Sequence, residues 1–325
     1  MVIDKKNESP RVLNKAFQGF LDRMPVEGET CPPAANDNKP PEQPDLFVPS
    51  LHDIPIKDNI DLMDIAVFRL STKQKVHDDM IVHDLPNARV EVTGNARYGI
   101  ATIHDYDIVL MAVSQLTNAV MRYRNGYGPR PSNVFRIHST EVFKFRRTGA
   151  GGKDYERLES ALNRLQGTFI KIERKGEKGR LRRTGYFPLI AGAKVVSHTS
   201  SGRIGTLEIT IPDWICDGIM KHEKPEVLTI HPEYFGLKIA LAKFISRFVR
   251  KQAGQTEALW GFRKIQEKSQ LVDPEKKFNH KLREVIKANP LPDYDLLEVS
   301  GKDGPMLRMM PKGKRGVEKG GKGKS

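Results

Sequence analysis

Four residues towards the C-terminal end, Lys276, His280, Arg283 and Lys287, recur at intervals of four, three and four. At 100° per residue this spacing places them on one helical face, opposite Phe278, Leu282 and Val285, with Lys277 on the flank. The chemistry open to such a stripe is recognition of a polyanion. Ammonium and guanidinium groups hold phosphate oxygens, and Arg or Lys can also reach the O6 and N7 edge of guanine. Arg283 and Lys276 are the candidates for base edges, Lys277 and Lys287 for phosphates. A solvated surface helix would show the same face, so the stripe alone does not decide. Lys302, in the predicted turn Gly301-Lys302-Asp303-Gly304, is a further candidate, with a plain surface turn as the alternative. A second basic set, Lys153, Arg157 and Arg164, flanks an apolar stripe of Tyr155, Leu158, Ala161, Leu162 and Leu165. Basic residues also crowd KIERKGEKGRLRR (171–183) and RYRNGYGPRPSNVFR (122–136), each either a phosphate-contacting segment or a polar loop.

No catalytic pattern stands beside these basic residues. The chain has no GxxxxGK[ST], HExxH, GxSxG or GxGxxG, and Gly152-Lys153-Asp154 lacks the hydroxyl residue a phosphate-binding loop needs. His77 and His83 sit among Asp78, Asp79 and Asp84 without a third ligand at metal spacing, as a polar surface loop would. Cys31 and Cys216 are far apart and have no CxxC companion, which argues against a disulfide framework and a cysteine zinc site. The expectation is a non-enzymatic protein with no metal and no cofactor.

The elements that must position the basic residues can be read from periodicity. Helices are predicted over 104–123, shortly after Ser139 as N-cap, over Gly151–Gly167, over 237–251, around Gly261–Ser269, and over 274–288 behind Asp273-Pro274. In the 237–251 helix, Lys238, Lys243, Arg247, Arg250 and Lys251 fall largely outside the apolar stripe. Strands are predicted for TFIKIERK, near Gly185–Ala193, over Thr206–Ile211, and for two strands across DYDLLEVSGKDGPMLRMMP. Three helices followed by a hairpin thus occur twice, which is the outline of two tandem winged helices in an α+β chain. The predicted organisation is a disordered leader (1–50), an N-terminal winged-helix domain (51–222), a C-terminal one (223–311) and a Lys/Gly tail (312–325).

The charge agrees with that outline. The formal net charge is +14, yet residues 1–60 hold 7 Lys and Arg against 10 Asp and Glu, so the positive excess belongs to the remainder. Such an excess favours a polyanionic partner through counterion release. No apolar run approaches the ~20 residues that span a bilayer, and no signal-peptide core opens the chain, so a cytoplasmic protein without membrane partners is expected.

GIATIHDYDI (99–108), ALNRLQGT (161–168), TIPDWI (210–215) and HPEYF (231–235), in this order, resemble the replication initiator protein A family of bacterial plasmids, and the likeness covers most of residues 45–295. The resemblance implies a tandem winged-helix initiator that binds repeated double-stranded sites at a plasmid origin. It further implies opening of adjacent AT-rich DNA, recruitment of the host initiator ATPase and replicative helicase, and both homodimeric and monomeric forms. The N-terminal unit would serve mainly in dimerisation, and helix 274–288 would be the leading recognition helix. A winged-helix transcriptional repressor shares nearly every feature. An RNA-binding module would need exposed aromatics on a sheet, against 7% aromatic residues here, and a DNA-processing enzyme would need the missing catalytic residues.

Overall fold

The computed structural model describes residues 54–63, 65–70, 80–85, 88–175 and 181–313. The expected leader, His77, the turn at 176–180 and the tail from 314 onwards lie outside the described residues.

At the centre runs α1 (Tyr106–Arg124), apolar on so many sides that twelve of its residues are buried, Ile108 to Ser114 without a break. A helix hydrophobic nearly all round has to be enclosed, and the chain wraps it. The short strand β1 (Lys57–Asn59) precedes it, followed by β2 (Met80–Asp84) and β3 (Ala88–Thr93). After α1 come β4 (Val134–His138), α2 (Ser139–Phe145), α3 (Gly152–Gln166), β5 (Phe169–Lys175), β6 (Leu181–Pro188), β7 (Gly192–Val195), β8 (Thr206–Thr210) and α4 (Asp213–Met220). Then follow β9 (Val227–Thr229), a 3-10 turn (Pro232–Gly236), α5 (Ala240–Gln252), β10 (Ala258–Gly261), α6 (Phe262–Ser269), α7 (Glu275–Ala288), β11 (Tyr294–Gly301) and β12 (Gly304–Pro311).

The fold is mixed α and β, and one order of elements occurs twice. α5–β10–α6–α7–β11–β12 builds a three-stranded antiparallel sheet in the order β10–β12–β11. α1–β4–α2–α3–β7–β8 builds another in the corresponding order β4–β8–β7. The first copy is interrupted. The hairpin β5–β6 leaves between α3 and β7 and joins β2 and β3 in a separate sheet, β2–β3–β5–β6. The strand predicted near Gly185–Ala193 is therefore two strands in two sheets, and the predicted order of three helices then one hairpin is too simple for the first copy. Alternation cannot reveal this, because it states which side chains are buried and not which partner strand lies alongside.

One apolar core runs from Ile54 to Met309. β9, on the far side of the expected boundary at 222, pairs with β1, and α5 delivers two buried cations to the first half of the chain. Arg247 donates from Nε to Asp58 at 2.5 Å and from Nη2 to the Leu62 carbonyl at 2.8 Å, with its guanidinium against the adjoining rings of Phe68 and Tyr106. Lys243 Nζ donates to both oxygens of Asp107 at 2.7 Å. Their relative exposures are 0% and 1%, so the expectation that Lys243 and Arg247 lie outside the packed stripe is corrected for both. Buried carboxylates across the interface turn two basic residues into core.

Candidate nucleic-acid interface

α7 starts after Pro274, one residue later than Asp273 as its cap would place it, and the Asp273 carboxylate is engaged elsewhere. It accepts Lys277 Nζ at 2.9 Å and the Lys281 ammonium, and although partial burial works against it these hydrogen bonds hold its carboxyl below the usual range. The helix buries Phe278, Leu282 and Val285, each worth about 1.5–3 kcal/mol. It ends at Asn289, in the left-handed region at φ 39°, where the side-chain amide donates to Asp295 at 3.0 Å and its oxygen accepts the Leu296 N–H. The helix end is thereby fixed to β11.

The outward face carries Lys276, His280, Arg283 and Lys287, all exposed, over about 16 Å of helix at 1.5 Å per residue. Lys276, His280 and Lys287 make no ion pair among the described residues. Lys277 is exposed on the flank but tied to Asp273. Arg283 is held. Its Nε donates to the two Glu298 oxygens at 3.2 and 2.9 Å and its Nη2 donates to Oε1 at 2.8 Å, and these bonds draw the Glu298 carboxyl below its usual range. Glu275 and Glu284 are the acids on the exposed side of the same helix.

Beside this face stands the β11–β12 hairpin. Gly301 pairs with Gly304, leaving Lys302-Asp303 as a two-residue loop. Gly304 has φ +120°, and a Cβ on Gly301 would sit 2.9 Å from the Gly304 carbonyl oxygen as well as against the Met306 side chain, so both ends of the turn favour glycine. Lys302 is exposed at the tip.

In the first copy, the basic set is divided. Lys153 is exposed and Arg157 is 75% exposed beside Asp154, 3.2 Å away. Arg164 turns inward, donating from Nε and Nη2 to Asp105 at 2.7 and 2.9 Å in front of α1. These bonds raise the guanidinium pKa. Arg164 thus serves the fold rather than an open face. The outward side of α3 instead presents Glu156 and Glu159 to a groove of about 590 Å³, faced by Lys194, His198 and Arg203. Upstream, Arg124 caps α4 by donating to the carbonyls of Met220, His222 and Glu223 at 3.0, 2.6 and 2.8 Å, and Arg136 pairs with Glu208. Of RYRNGYGPRPSNVFR, two arginines are therefore structural, and Lys171 of the next run is held by Glu91 and Glu173. The partners Glu298 and Asp105 are not legible in the sequence because neither lies at helical spacing from the cation it binds, whereas Asp273 stands four residues before Lys277.

His83 is a buried strand residue whose Nε2 lies 2.8 Å from the Ala66 carbonyl. Among the described residues no group of three metal-ligating side chains is assembled, and no helix is long and apolar enough to cross a membrane.

The model of the replication initiator protein A family matches residues 57–296, from β1 into β11. The chain belongs to the replication initiator protein A family. A protein of Wigglesworthia glossinidia brevipalpis named for a role in replication is 25% identical over 217 residues, covering 66% of this chain and 76% of that one. The crystal structure of domains 2 and 3 of RctB aligns with 77% of this family member and 97% of the RctB chain, at a TM-score of 0.54 and 13% identity, a likeness of fold. The family match contains the whole of α7 and stops before Glu298, Lys302 and the tip of the hairpin.

Proposed function

We propose that this chain is a plasmid replication initiator whose two repeated units are winged helices that bind repeated sites in double-stranded origin DNA. The observation that carries the reading is the α7 stripe of Lys276, His280, Arg283 and Lys287, on a helix anchored behind a short helix and beside a glycine-bounded hairpin, in a chain of a replication initiator family. A helix so placed suits a major groove of about 12 Å, while Lys302 reaches the flanking backbone or the adjacent minor groove. Lys153 and Arg157 extend the contact in the first unit, with Lys277 and Lys287 on phosphates. The protein performs no covalent chemistry on this reading. It promotes opening of the origin and recruits the host initiator ATPase and replicative helicase in the bacterial cytoplasm, exchanging between dimer and monomer.

The test is a footprint of the purified chain across the DNA flanking its own gene at two salt concentrations. Regularly spaced protection that survives the higher salt supports sequence-specific repeat binding, because phosphate contacts alone weaken steeply with salt. Diffuse protection lost with salt overturns it. Whether the gene and its flanks sustain a plasmid lacking its own origin then separates an initiator from a repressor that binds the same repeats.

A further inference from the structure

We infer that Glu298, an acid at the edge of the proposed DNA face, is a positioning residue that sets base preference by presenting Arg283 to a guanine. The inference rests on the placement of α7 in the major groove. The Nε and one N–H of Nη2 are the groups engaged by Glu298, at 2.8–3.2 Å. The guanidinium has five N–H donors in a rigid fork. The side-on edge is therefore occupied, and the outer edge, formed by Nη1 and the second N–H of Nη2, keeps its donors. That outer edge is the pair that fits guanine O6 and N7 together. The aromatic ring of Phe262 lies 5.8 Å from the guanidinium carbon and backs it from the protein side. Glu298 stands on β11, whose register with β12 is continuous to the hairpin turn, so the carboxylate is placed by the sheet and not by the helix it serves. Lys276, His280 and Lys287 share the face but have no such buttress, which assigns them to phosphates or to looser base contact. Arg283 is the pre-organised reader.

Charge and position give opposite predictions. Removing an acid beside DNA strengthens binding to every sequence if Glu298 acts only by repulsion. As a buttress, its loss lowers affinity for the correct repeat and flattens preference at one base pair. The experiment measures the full chain, wild type and Glu298→Gln, on a duplex holding one footprinted repeat, on its single-base-pair variants and on a random duplex. Expected for Glu298→Gln is roughly tenfold weaker repeat binding, with discrimination lost at one G·C pair and random-duplex affinity equal or higher. Glu298→Asp, which keeps the charge but shortens the reach, should lose the same discrimination. In an Arg283→Ala background neither change should alter it further. Tighter repeat binding by Glu298→Gln with base preference intact overturns the inference alone, provided Lys276→Ala and Lys287→Ala weaken binding. If those two lysine variants bind the repeat as wild type does, α7 is not on DNA and both readings fall.

Discussion

A basic side chain in this protein has one of two uses, and its nearest carboxylate decides which. Arg164 and Arg283 each stand in the second half of a helix that precedes a hairpin, and each makes a two-nitrogen contact with a carboxylate. Asp105 is almost wholly buried and also accepts the Thr102 N–H and hydroxyl, whereas Glu298 is about one-third exposed. Arg164 is therefore a fold residue and Arg283 an available one. Arg164→Ala should cost about 2 kcal/mol of stability, the scale of a charged hydrogen bond whose partner stays buried. Urea unfolding checks this, and the folded variant should bind DNA with unchanged affinity. A variant as stable as wild type would refute the assignment. Cys216 is a simpler case. Burial, with Asp213 and Asp217 adding to it, pushes its thiol up to about 12, so alkylation at Cys216 should wait for unfolding, as mass spectrometry of the labelled native chain would show.

At the scale of elements, the hairpin and the cross-element ion pairs make separate predictions. Lys302→Ala should reduce the slope of log affinity against log salt by about 1 if the tip touches a phosphate, and leave it unaltered if the tip is a plain turn. Three glutamates tie one element to another: Glu91 on β3 through Lys171 on β5, with Arg89 of its own strand also donating to it, Glu233 through Arg147, and Glu298 through Arg283. Those hydrogen bonds hold each folded-state carboxyl below its ordinary value of 4.5. The folded state therefore binds fewer protons than the unfolded chain in this range, and the contribution present above 4.5 is lost as pH falls through the depressed values. The urea midpoint should fall between about pH 5 and pH 3, and less steeply in a Glu91→Gln variant. Most helices were legible in the sequence, because an apolar stripe at 3.6-residue spacing is a local property: α6 and α7 lie within a residue or so of their predicted ends. The partition of strands among sheets was not. Nothing in Leu181 to Val195 states that Pro188 closes one sheet and Gly192 opens another, since the two hairpins are drawn into different sheets by β3, which pairs with β5, and by β4, which pairs with β8, both far away in sequence. The site was half legible for the same reason. The stripe on α7 follows from spacing, but its governing carboxylate comes from β11.

For the whole molecule, the question is what holds the two repeated units as one body. The apolar core is continuous, and within it lie two charged pairs that hydrophobic residues could have replaced. Asp58 and Arg247 are buried completely, with the Tyr106 hydroxyl donating to the same carboxylate at 2.9 Å. Asp107 and Lys243 are buried almost as far, with Arg146 3.9 Å from the same carboxylate. Each pair links α5 of the second unit to β1 or α1 of the first, so each fixes which face of α5 meets them. Apolar contact is tolerant of rotation, whereas a buried charge with one partner is not. The energetic signature of such a device is asymmetric. Arg247→Ala or Asp107→Leu alone should destabilise by about 3–5 kcal/mol, because a charge is left buried without its partner. Asp107→Leu combined with Lys243→Met removes both charges and should recover most of that loss in urea unfolding. The double variant should nonetheless bind two adjacent origin repeats less cooperatively than wild type does, since the angle between the units would no longer be pinned. Recovery of stability together with unchanged two-repeat binding would show that packing alone sets the angle. Failure of the double variant to recover would show that Arg146, left facing the new leucine, needs the Asp107 carboxylate as much as Lys243 does.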